Sequence, residues 1–478
     1  MVNIIEELNK NNVFKDLSQV ADRLGYECYV VGGWVRDLML GKPSDDIDVV
    51  VVGSGTSMAS AFSQHVGPKT KVDLYPNFGT AKVNYHGQEI EFVGARRESY
   101  QRGSRKPIVE NGTLQDDLTR RDFTLNAMAI CLNRTRFGEL VDMFGGMIDL
   151  GQEILRTPTD PNITFSDDPL RMLRCIRFAV RFGFSIDPIV YEAIKGNRER
   201  LEILSPERIT VELNKILSSP DPKKGMEYLR ETGLLELILP EVAVLDTNDR
   251  QGEEYQSWHK NNFWHSINVL ANVSEKSNSL WLRWAALLHD IGKHQTKRYS
   301  PQEGWTFHGH ETVGAEMVEP IFRRLHLPLG QEMAYVRKLV DLHMRPSMMS
   351  TSEITDSAVR RLLSDAGDDI DDLLILCRSD LTTRNDEKRA RILAHFDRLE
   401  EMIEDLKKRD YKRLFQPCID GTDIMRIFNL RPGPEVGILK KTLKDAVLDG
   451  IVENTPEALS QILTKKALEM GLLKEDGE

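Results

Sequence analysis

The chain has 478 residues, 40% hydrophobic and 29% charged with 20 prolines, an ordinary globular composition long enough for two to four domains and free of internal repeats or low-complexity tracts. No apolar run is long enough to span a bilayer, and the N-terminal MVNIIEELNKNNVF is an amphipathic pattern without an apolar signal core, which excludes a membrane protein and predicts a cytoplasmic one. The net charge of -11 excludes a uniformly basic nucleic-acid binder; basic residues instead gather locally, at Arg96, Arg97, Arg102, Arg105, Lys106, Arg120 and Arg121 and again at Arg171, Arg174, Arg177 and Arg181, as a local basic face requires.

Residues up to about 24 read as helical, because Val13, Phe14, Leu17, Val20, Ala21 and Leu24 recur at helix spacing. YECYVV follows as a strand entering the turn at Gly32 and Gly33, VRDLMLG as a short helix, and DIDVVVV as a second strand. A helix near SMASAFSQHV precedes three short strand runs, TKVDLY, TAKVNYH and QEIEFVGA, with His86 and Gly87 at a hairpin turn. Few strands with a helix between the first two predict a small mixed sheet. From about residue 120 strand signals nearly vanish, leaving a helical remainder broken at LSPER, RPSM and LRPGPE. These signals predict an α+β chain in four segments, 1–150, 151–245, 246–395 and 396–478. Cys28, Cys131, Cys175, Cys377 and Cys418 are odd in number, dispersed and never at zinc-ligand spacing, so they are expected as core thiols.

Asp46 and Asp48 stand at the start of IDVVVV, with Asp46 thirteen residues after the second glycine of a pair. On a strand, residues two apart project to the same face, so both carboxylates can reach one pair of divalent cations. A valine-rich strand is buried, and charge there needs a metal or hydrogen-bond partners. Gly32, Gly33 and Arg36 supply the phosphate-binding half of a metal-dependent nucleotidyl-transfer site. Glu91 is the candidate third carboxylate from a neighbouring strand, with Glu89 on the same face as its substitute. Two solvated acids at a strand end are the plain alternative.

VVGGWVRDLMLGKPSDDIDVVVV, RRDFTLNAMAI, DMFGGMIDL, SDDPLRMLRCIRFAVRFGF and LSPERITVELNKIL occur in that order over roughly the first 220 residues. The ordered set resembles the class II tRNA nucleotidyltransferase and bacterial poly(A) polymerase family. The resemblance implies a polymerase-beta-like head followed by helical neck and body domains. It implies further that Asp46 and Asp48 bind catalytic magnesium, that Gly32, Gly33 and Arg36 contact the triphosphate, and that Arg121, Asp122 and Asn126 lie around the sugar and phosphates. Arg171, Arg174, Arg177 and Arg181 recur at intervals of three and four and so share one helix face, as a solvated basic stripe able to touch any phosphate would, and Arg171, Arg174 and Arg177 are expected as nucleotide contacts. Alternatively Asp168 and Arg171 form a planar acceptor and donor set at the base's Watson–Crick edge, selecting C and A without a nucleic-acid template. The family's EDxxR motif is used in this way; Asp167 here replaces its first glutamate. The polar stretch between Glu91 and Arg120 resembles the family's mobile loop, or is a surface insertion.

His265, the adjacent His289 and Asp290, His310, His343 and Asp380 recur downstream at helix positions bordered by apolar residues. Imidazole and carboxylate together suit a hydrated divalent metal that generates a hydroxide nucleophile. The order resembles the HD phosphohydrolase superfamily over about 258–390. By that likeness His265, His289, Asp290 and Asp380 hold one metal (Mn, Ni, Fe, Co or Mg), His310 and His343 a second, and Lys293 contacts a phosphate. The final segment, IDGTDIMRIFNLRPGPEVGILKKTLKDAVLDG, resembles the tail of bacterial family members, and its plain alternative is a turn starting a packing helix. The expected activity is magnesium-dependent addition of CCA from CTP and ATP to tRNA, joined to a phosphohydrolase that trims 3' ends, with no DNA or membrane partner. The rivals are a poly(A) polymerase or a partial (A-only or CC-only) adding enzyme, an HD phosphohydrolase with an RNA-docking head, and a non-catalytic RNA-binding protein.

Overall fold

The N-terminal periodicity forms two helices, α1 (Ile4–Lys10) and α2 (Asn12–Leu24), in a computed structural model that describes residues 3–42, 44–67, 70–75, 79–99, 108–246, 261–349, 354–383, 385–409, 417–449 and 451–473. Asn11 separates the two helices: its side chain accepts from the Val13 N–H as the cap of α2, and Gly25 at φ +68° ends that helix. The chain divides into two compact units, Met1–Ala243 and Val244–Glu478, and the boundaries expected near 150 and 395 lie inside them.

The first unit continues through β1 (Glu27–Val31), α3 (Gly33–Met39), β2 (Ile47–Val52), α4 (Gly55–Val66), β3 (Val72–Tyr75), β4 (Thr80–Tyr85), β5 (Gln88–Gly94), β6 (Arg96–Ser99), β7 (Ile108–Asn111), α5 (Leu114–Thr119), β8 (Met128–Cys131), β9 (Leu140–Asp142) and α6 (Gly146–Gln152). Seven strands form one mixed sheet in the order β3-β4-β5-β2-β1-β8-β9, with β2 and β5 parallel and the other pairs antiparallel. His86 (φ 52°) and Gly87 (φ 85°) make the hairpin between β4 and β5, at the expected place. Alternation along β2 sends Ile47, Val49 and Val51 into a core with Phe14, Leu17 and Phe62, and Val50 into a second core with Tyr29, Val31, Leu114 and Leu118 on the other face. Each fully buried valine contributes about 1.5–3 kcal/mol, so the register of β2 is strongly fixed. Asp48 therefore stands on the Val50 face.

The unit closes with β10 (Ile154–Leu155), α7 (Pro161–Asp167), α8 (Leu170–Phe182), β11 (Ser185–Ile186), α9 (Pro188–Asn197), α10 (Pro206–Leu217), α11 (Pro222–Glu231), α12 (Leu234–Ile238) and α13 (Pro240–Ala243). Asp160, Asp187 and Asp221 cap α7, α9 and α11, each followed by a proline whose missing N–H costs the first turn nothing.

The second unit comprises α14 (Asn262–Ser274), α15 (Leu280–Leu288), α16 (Lys293–Thr296), β12 (Arg298–Ser300), β13 (Gly304–Thr306), α17 (His310–Arg324), α18 (Gln331–Leu342), α19 (Met344–Met349), α20 (Asp356–Ala366), α21 (Ile370–Ser379), α22 (Asp386–Arg409), α23 (Gly421–Phe428), α24 (Pro434–Leu448) and α25 (Pro456–Glu469). The last three helices bury Ile424, Leu439, Leu443, Leu459 and Leu463 among themselves, so the proline-glycine turn does start a packing helix. Arg361 on α20 holds Asp449 at 2.8 Å just beyond α24.

The expectation that strands nearly cease after 120 is corrected by β8 and β9, which extend the main sheet, and by the short pairs β10–β11 and β12–β13. All four residues of β8 are buried, which leaves no alternation to read; the two short pairs are too brief for any period. Cys28, Cys131, Cys175 and Cys377 are buried as expected, and Cys418 is exposed. Among the described residues no helix is long and apolar enough to cross a membrane.

Candidate active sites

Register brings the first carboxylates together. Asp48 pairs with Val31 of β1 on one side and with Glu91 of β5 on the other, in a parallel pair that puts the two acids on one face. Glu89 lies farther along β5 opposite Asn84, and its carboxylate meets the Lys82 ammonium, so Glu91 is the partner register selects. Asp46, expected within the strand, stands just before it and is exposed. Burial pushes the Asp48 carboxyl up to about 6; Arg121 works against that rise, and Asp46 and Glu91 add to it. Among the described residues the oxygens of Asp46, Asp48 and Glu91 do not all lie within 4.8 Å of one another.

Gly32 follows β1 directly with φ +71°, a conformation side chains disfavour. A Cβ there would stand 2.9 Å from Arg121 Nη1 and 3.4 Å from Asp48 Oδ2, so the backbone demands glycine and a side chain would displace the Arg121 guanidinium. Arg121 is held from behind by Asp117, whose carboxylate accepts from its Nη2 at 3.0 Å. Gly33 opens α3.

Arg36, expected on the triphosphate, is turned inward instead. Its Nη1 donates to Asn126 Oδ1 at 2.7 Å, its Nε to Asp37 Oδ1 at 2.8 Å, and its guanidinium lies 4.9 Å from the Phe182 ring centroid. Asn126 in turn donates to Asp122 Oδ1 at 2.9 Å, and Asp122 Oδ2 accepts from Arg174 Nε at 2.7 Å. Burial works to raise the Asp122 pKa, but Arg174 and Asn126 hold it below the usual carboxylate range. One buried network thus runs from α8 through the segment before β8 to α3, and four expected nucleotide contacts, Arg36, Asp122, Asn126 and Arg174, are its members.

The solvated-stripe alternative for the α8 arginines is also corrected. Arg177 is buried, with its Nε 2.9 Å from Glu212 Oε2 in a charge contact whose N–H is not aimed at the oxygen, and burial pushes its pKa down to about 10. A run of arginines at helix spacing cannot distinguish a solvent face from one covered by acids of other helices. Arg171 is partly exposed; its guanidinium donates to the main-chain carbonyls of Thr164 at 3.3 Å and Arg120 at 2.6 Å. Asp168 caps the Leu170 N–H at 3.2 Å and accepts from Arg208 at 3.3 Å. The structure therefore pairs Asp168 with Arg208 and leaves Arg171 to main-chain carbonyls. Burial raises the Asp167 carboxyl, opposed by Arg171. Within the stretch expected as a mobile loop, β6 and β7 pair as a ribbon, while residues 100–107, with Arg102, Arg105 and Lys106, lie outside the described residues.

In the second unit all six expected residues converge from helix ends. His265 stands in the first turns of α14, His289 and Asp290 follow α15, His310 begins α17, His343 follows α18 and Asp380 follows α21. His265 Nε2 is 2.7 Å from Asp380 Oδ1 and 3.3 Å from Asp290 Oδ2; His289 Nε2 is 3.3 Å from the same Asp290 oxygen. Asp290 Oδ1 faces the other way, 3.3 Å from His310 Nε2 and 3.8 Å from His343 Nε2. The four imidazoles share one device: Nδ1 is turned outward to Thr382 Oγ1 (3.1 Å) from His265, and to the carbonyls of Ala286 (2.8 Å), Phe307 (2.8 Å) and Val340 (2.6 Å) from His289, His310 and His343. Carbonyl acceptors place the proton on Nδ1 and leave the Nε2 lone pair facing inward, the tautomer a metal requires.

The Nε2 atoms of His265 and His289 are 3.4 Å apart and those of His310 and His343 3.3 Å apart, so facing lone pairs repel unless a proton or cation lies between them. Burial works against charge on His289, but Asp290 and Asp380 pull its pKa above the usual value; burial pushes His343 down to about 4. The donor set fits two metals sharing Asp290, as the sets His265, His289, Asp290 and Asp290, His310, His343 each lie within 4.8 Å. Lys293, expected on a phosphate, has its ammonium 2.5 Å from Asp290 Oδ2.

Two contributing residues escape the sequence reading. Asp117 precedes Arg120 and Arg121 by three and four residues, a helix-pair spacing that was legible. Thr382 has no such signal, because its partner His265 is 117 residues away.

Residues 28–156 match the poly A polymerase head domain, 183–245 a family described as the probable RNA and SrmB-binding site of polymerase A, and 262–402 the HD domain. The A-adding tRNA nucleotidyltransferase of Deinococcus radiodurans is 33% identical over 440 residues, covering 90% of this chain and 93% of that protein. The multifunctional CCA protein of Neisseria gonorrhoeae is 36% identical over 316 residues, 63% of this chain and 70% of that one. The fold is similar to that of the Thermotoga maritima CCA-adding enzyme complexed with tRNA-CCA, with TM-score 0.60, 22% identity and 95% of each chain covered.

Proposed function

The chain belongs to the tRNA nucleotidyltransferase family, and on that premise we propose that it extends the 3' end of tRNA with CCA, using CTP and ATP at the first site. It is a nucleotidyltransferase with an HD domain in its second half, and both kinds of domain are metal-dependent. The observation that carries the reading is the register of β2 against β5, which sets Asp48 beside Glu91 with Arg121 over Gly32. In this reading Asp46, Asp48 and Glu91 would hold magnesium, which when bound would supply activation of the tRNA 3' hydroxyl and charge stabilisation for the departing pyrophosphate. Gly32 and Gly33 give the triphosphate close approach to the backbone, Arg121 neutralises its charge, and Asp168 with Arg171 reads the base edge. Arg36, Asp122, Asn126 and Arg174 act from behind, fixing α3 against α8 through the network described above, and Arg177 ties α8 to α10 through Glu212. The segments are a head at 1–150, neck and body at 151–245, an HD domain at 246–395 and a helical tail at 396–478, in a cytoplasmic protein without DNA or membrane partners.

Incubating the full chain with tRNA lacking its terminus and each labelled nucleotide separately tests the reading. Incorporation of C and then A is expected, and extension of unrelated RNA by ATP alone would defeat it. A second reading, A addition only, is favoured by the Deinococcus radiodurans relative, which is matched over 93% of its length and named A-adding. It predicts no CTP incorporation and extension only of tRNA already ending in CC.

For the HD domain the same six ligands, His265, His289, Asp290, His310, His343 and Asp380, would hold Mn, Ni, Fe, Co or Mg, supplying hydroxide for hydrolysis of cyclic or terminal phosphates at damaged RNA ends. Metal analysis with a 2',3'-cyclic phosphate substrate checks it: bound metal without hydrolysis of any phosphate ester would remove the catalytic part.

A further inference from the structure

Arg121 and Arg171 stand at opposite ends of the nucleotide site proposed above, one over Gly32 and Asp48, the other beside the base-reading Asp168. Both are organised by one short segment, α5 and the two residues after it. At its centre is Asp117, a carboxylate with no solvent exposure. Oδ1 of Asp117 accepts from Arg120, with Nε at 3.0 Å, and Oδ2 accepts from Arg121, with Nη2 at 3.0 Å. Burial works to raise the Asp117 pKa, yet the two guanidinium groups hold it below the usual range.

The two arginines act in different directions. Arg121 is the phosphate arm, its Nη1 filling the space a Gly32 side chain would need. Arg120 is the base arm through its main chain: its carbonyl accepts from Arg171 Nη2 at 2.6 Å, so the position of residue 120 sets the plane of the base-reading guanidinium. The Arg120 side chain also meets Glu98 on β6 at 3.2 Å, giving it a second acid to follow if Asp117 lets go. An aspartate with both oxygens committed, each to a different arm, couples the two ends rigidly.

We propose that Asp117 is a positioning residue that aligns the triphosphate-binding Arg121 with the base-reading Arg171, so that one buried carboxylate sets both nucleotide affinity and base choice. The proposal rests on the nucleotide site described above. Charge-assisted hydrogen bonds of this kind support an effect of roughly 10- to 100-fold when the charge is removed.

The test uses the full chain with Asp117→Asn and Arg120→Met, measuring KM for CTP and ATP, UTP misincorporation and the melting temperature. Asp117→Asn is expected to raise both KM values and to lower discrimination against UTP, each by roughly 10- to 100-fold. Arg120→Met keeps the Asp117–Arg121 pair, so it should lose discrimination while KM stays within about twofold. A folded Asp117→Asn protein with KM raised and discrimination intact overturns the proposal, as does Arg120→Met raising KM equally. Should Asp117→Asn not fold, Arg120→Met decides alone, and unchanged discrimination overturns the coupling. If the unaltered chain extends no tRNA with any nucleotide, the nucleotide site itself fails; if it does and both variants match it, only the role of Asp117 fails.

Discussion

Asp48 shows how a single residue can report on its own ligand. Its carboxyl is pushed up to about 6, chiefly by burial, with Asp46 and Glu91 adding to the rise. A raised carboxyl contributes stability that is complete below its usual value of 3.8 and is lost as pH rises through about 6. Metal-free protein should therefore melt at lower temperature as pH climbs from 4 to 6, and Asp48→Asn should flatten that slope. Magnesium competes with the same proton, so nucleotide incorporation at low magnesium should fall below pH of about 6, and saturating magnesium should move the inflection to lower pH. An inflection indifferent to magnesium would separate Asp48 from the metal. Thr382 gives a parallel case in the second unit. Three imidazoles rest on main-chain carbonyls three residues earlier, which no substitution removes, whereas His265 relies on a hydroxyl. Thr382→Val should weaken metal binding by about 10- to 100-fold, measured by titration with Co2+ and its absorption bands, and Thr382→Ser should restore it.

At the scale of elements, ligands are delivered by the ends of helices and the edges of strands, and glycine decides how closely those ends meet. Gly292, two residues after Asp290, lies against the start of α17: a Cβ there would stand 2.2 Å from the His310 carbonyl oxygen. Gly292→Ala must push α17 and its first residue His310 away, costing about 1–3 kcal/mol of stability by overpacking. Calorimetry should show that loss together with weaker metal retention, and an unchanged melt would mean the contact yields freely. The same scale decides what was legible. Strands β1 and β2 were readable as valine-rich runs on either side of a glycine turn and β3 to β5 as short runs around a hairpin turn, whereas period-2 geometry put Glu89 and Glu91 on one face and only the register against β2 selected Glu91. Strand β8 was not, since both faces are buried. Arg36, Arg174 and Arg177 read as phosphate contacts because sequence shows a guanidinium but not the acid or amide opposite it; Asp37, Glu212 and the Asp122–Asn126 pair come from three separate segments. The histidine cluster was legible as a ligand list, while the sharing of Asp290 between its two sides needed coordinates.

The two proposed chemistries fall in separate compact units, each with its own core and its own ionisable groups. No residue of the first carboxylate set belongs to the second unit, and no imidazole ligand to the first. Substitutions should therefore act on one chemistry alone. Removing a metal ligand forfeits several kcal/mol of transition-state stabilisation, on the order of a 10³-fold loss in rate. Asp46→Ala should abolish incorporation of labelled nucleotide into tRNA while phosphate-ester hydrolysis persists, and His289→Ala should do the reverse. On the proposed reading tRNA binds through local basic residues of an acidic chain with net charge -11, so both variants should keep the same steep weakening of tRNA affinity with salt. If Asp46→Ala also silenced hydrolysis while leaving salt-dependent binding intact, the two sites would be coupled through the RNA itself, and the independence argued from two separate cores would be wrong.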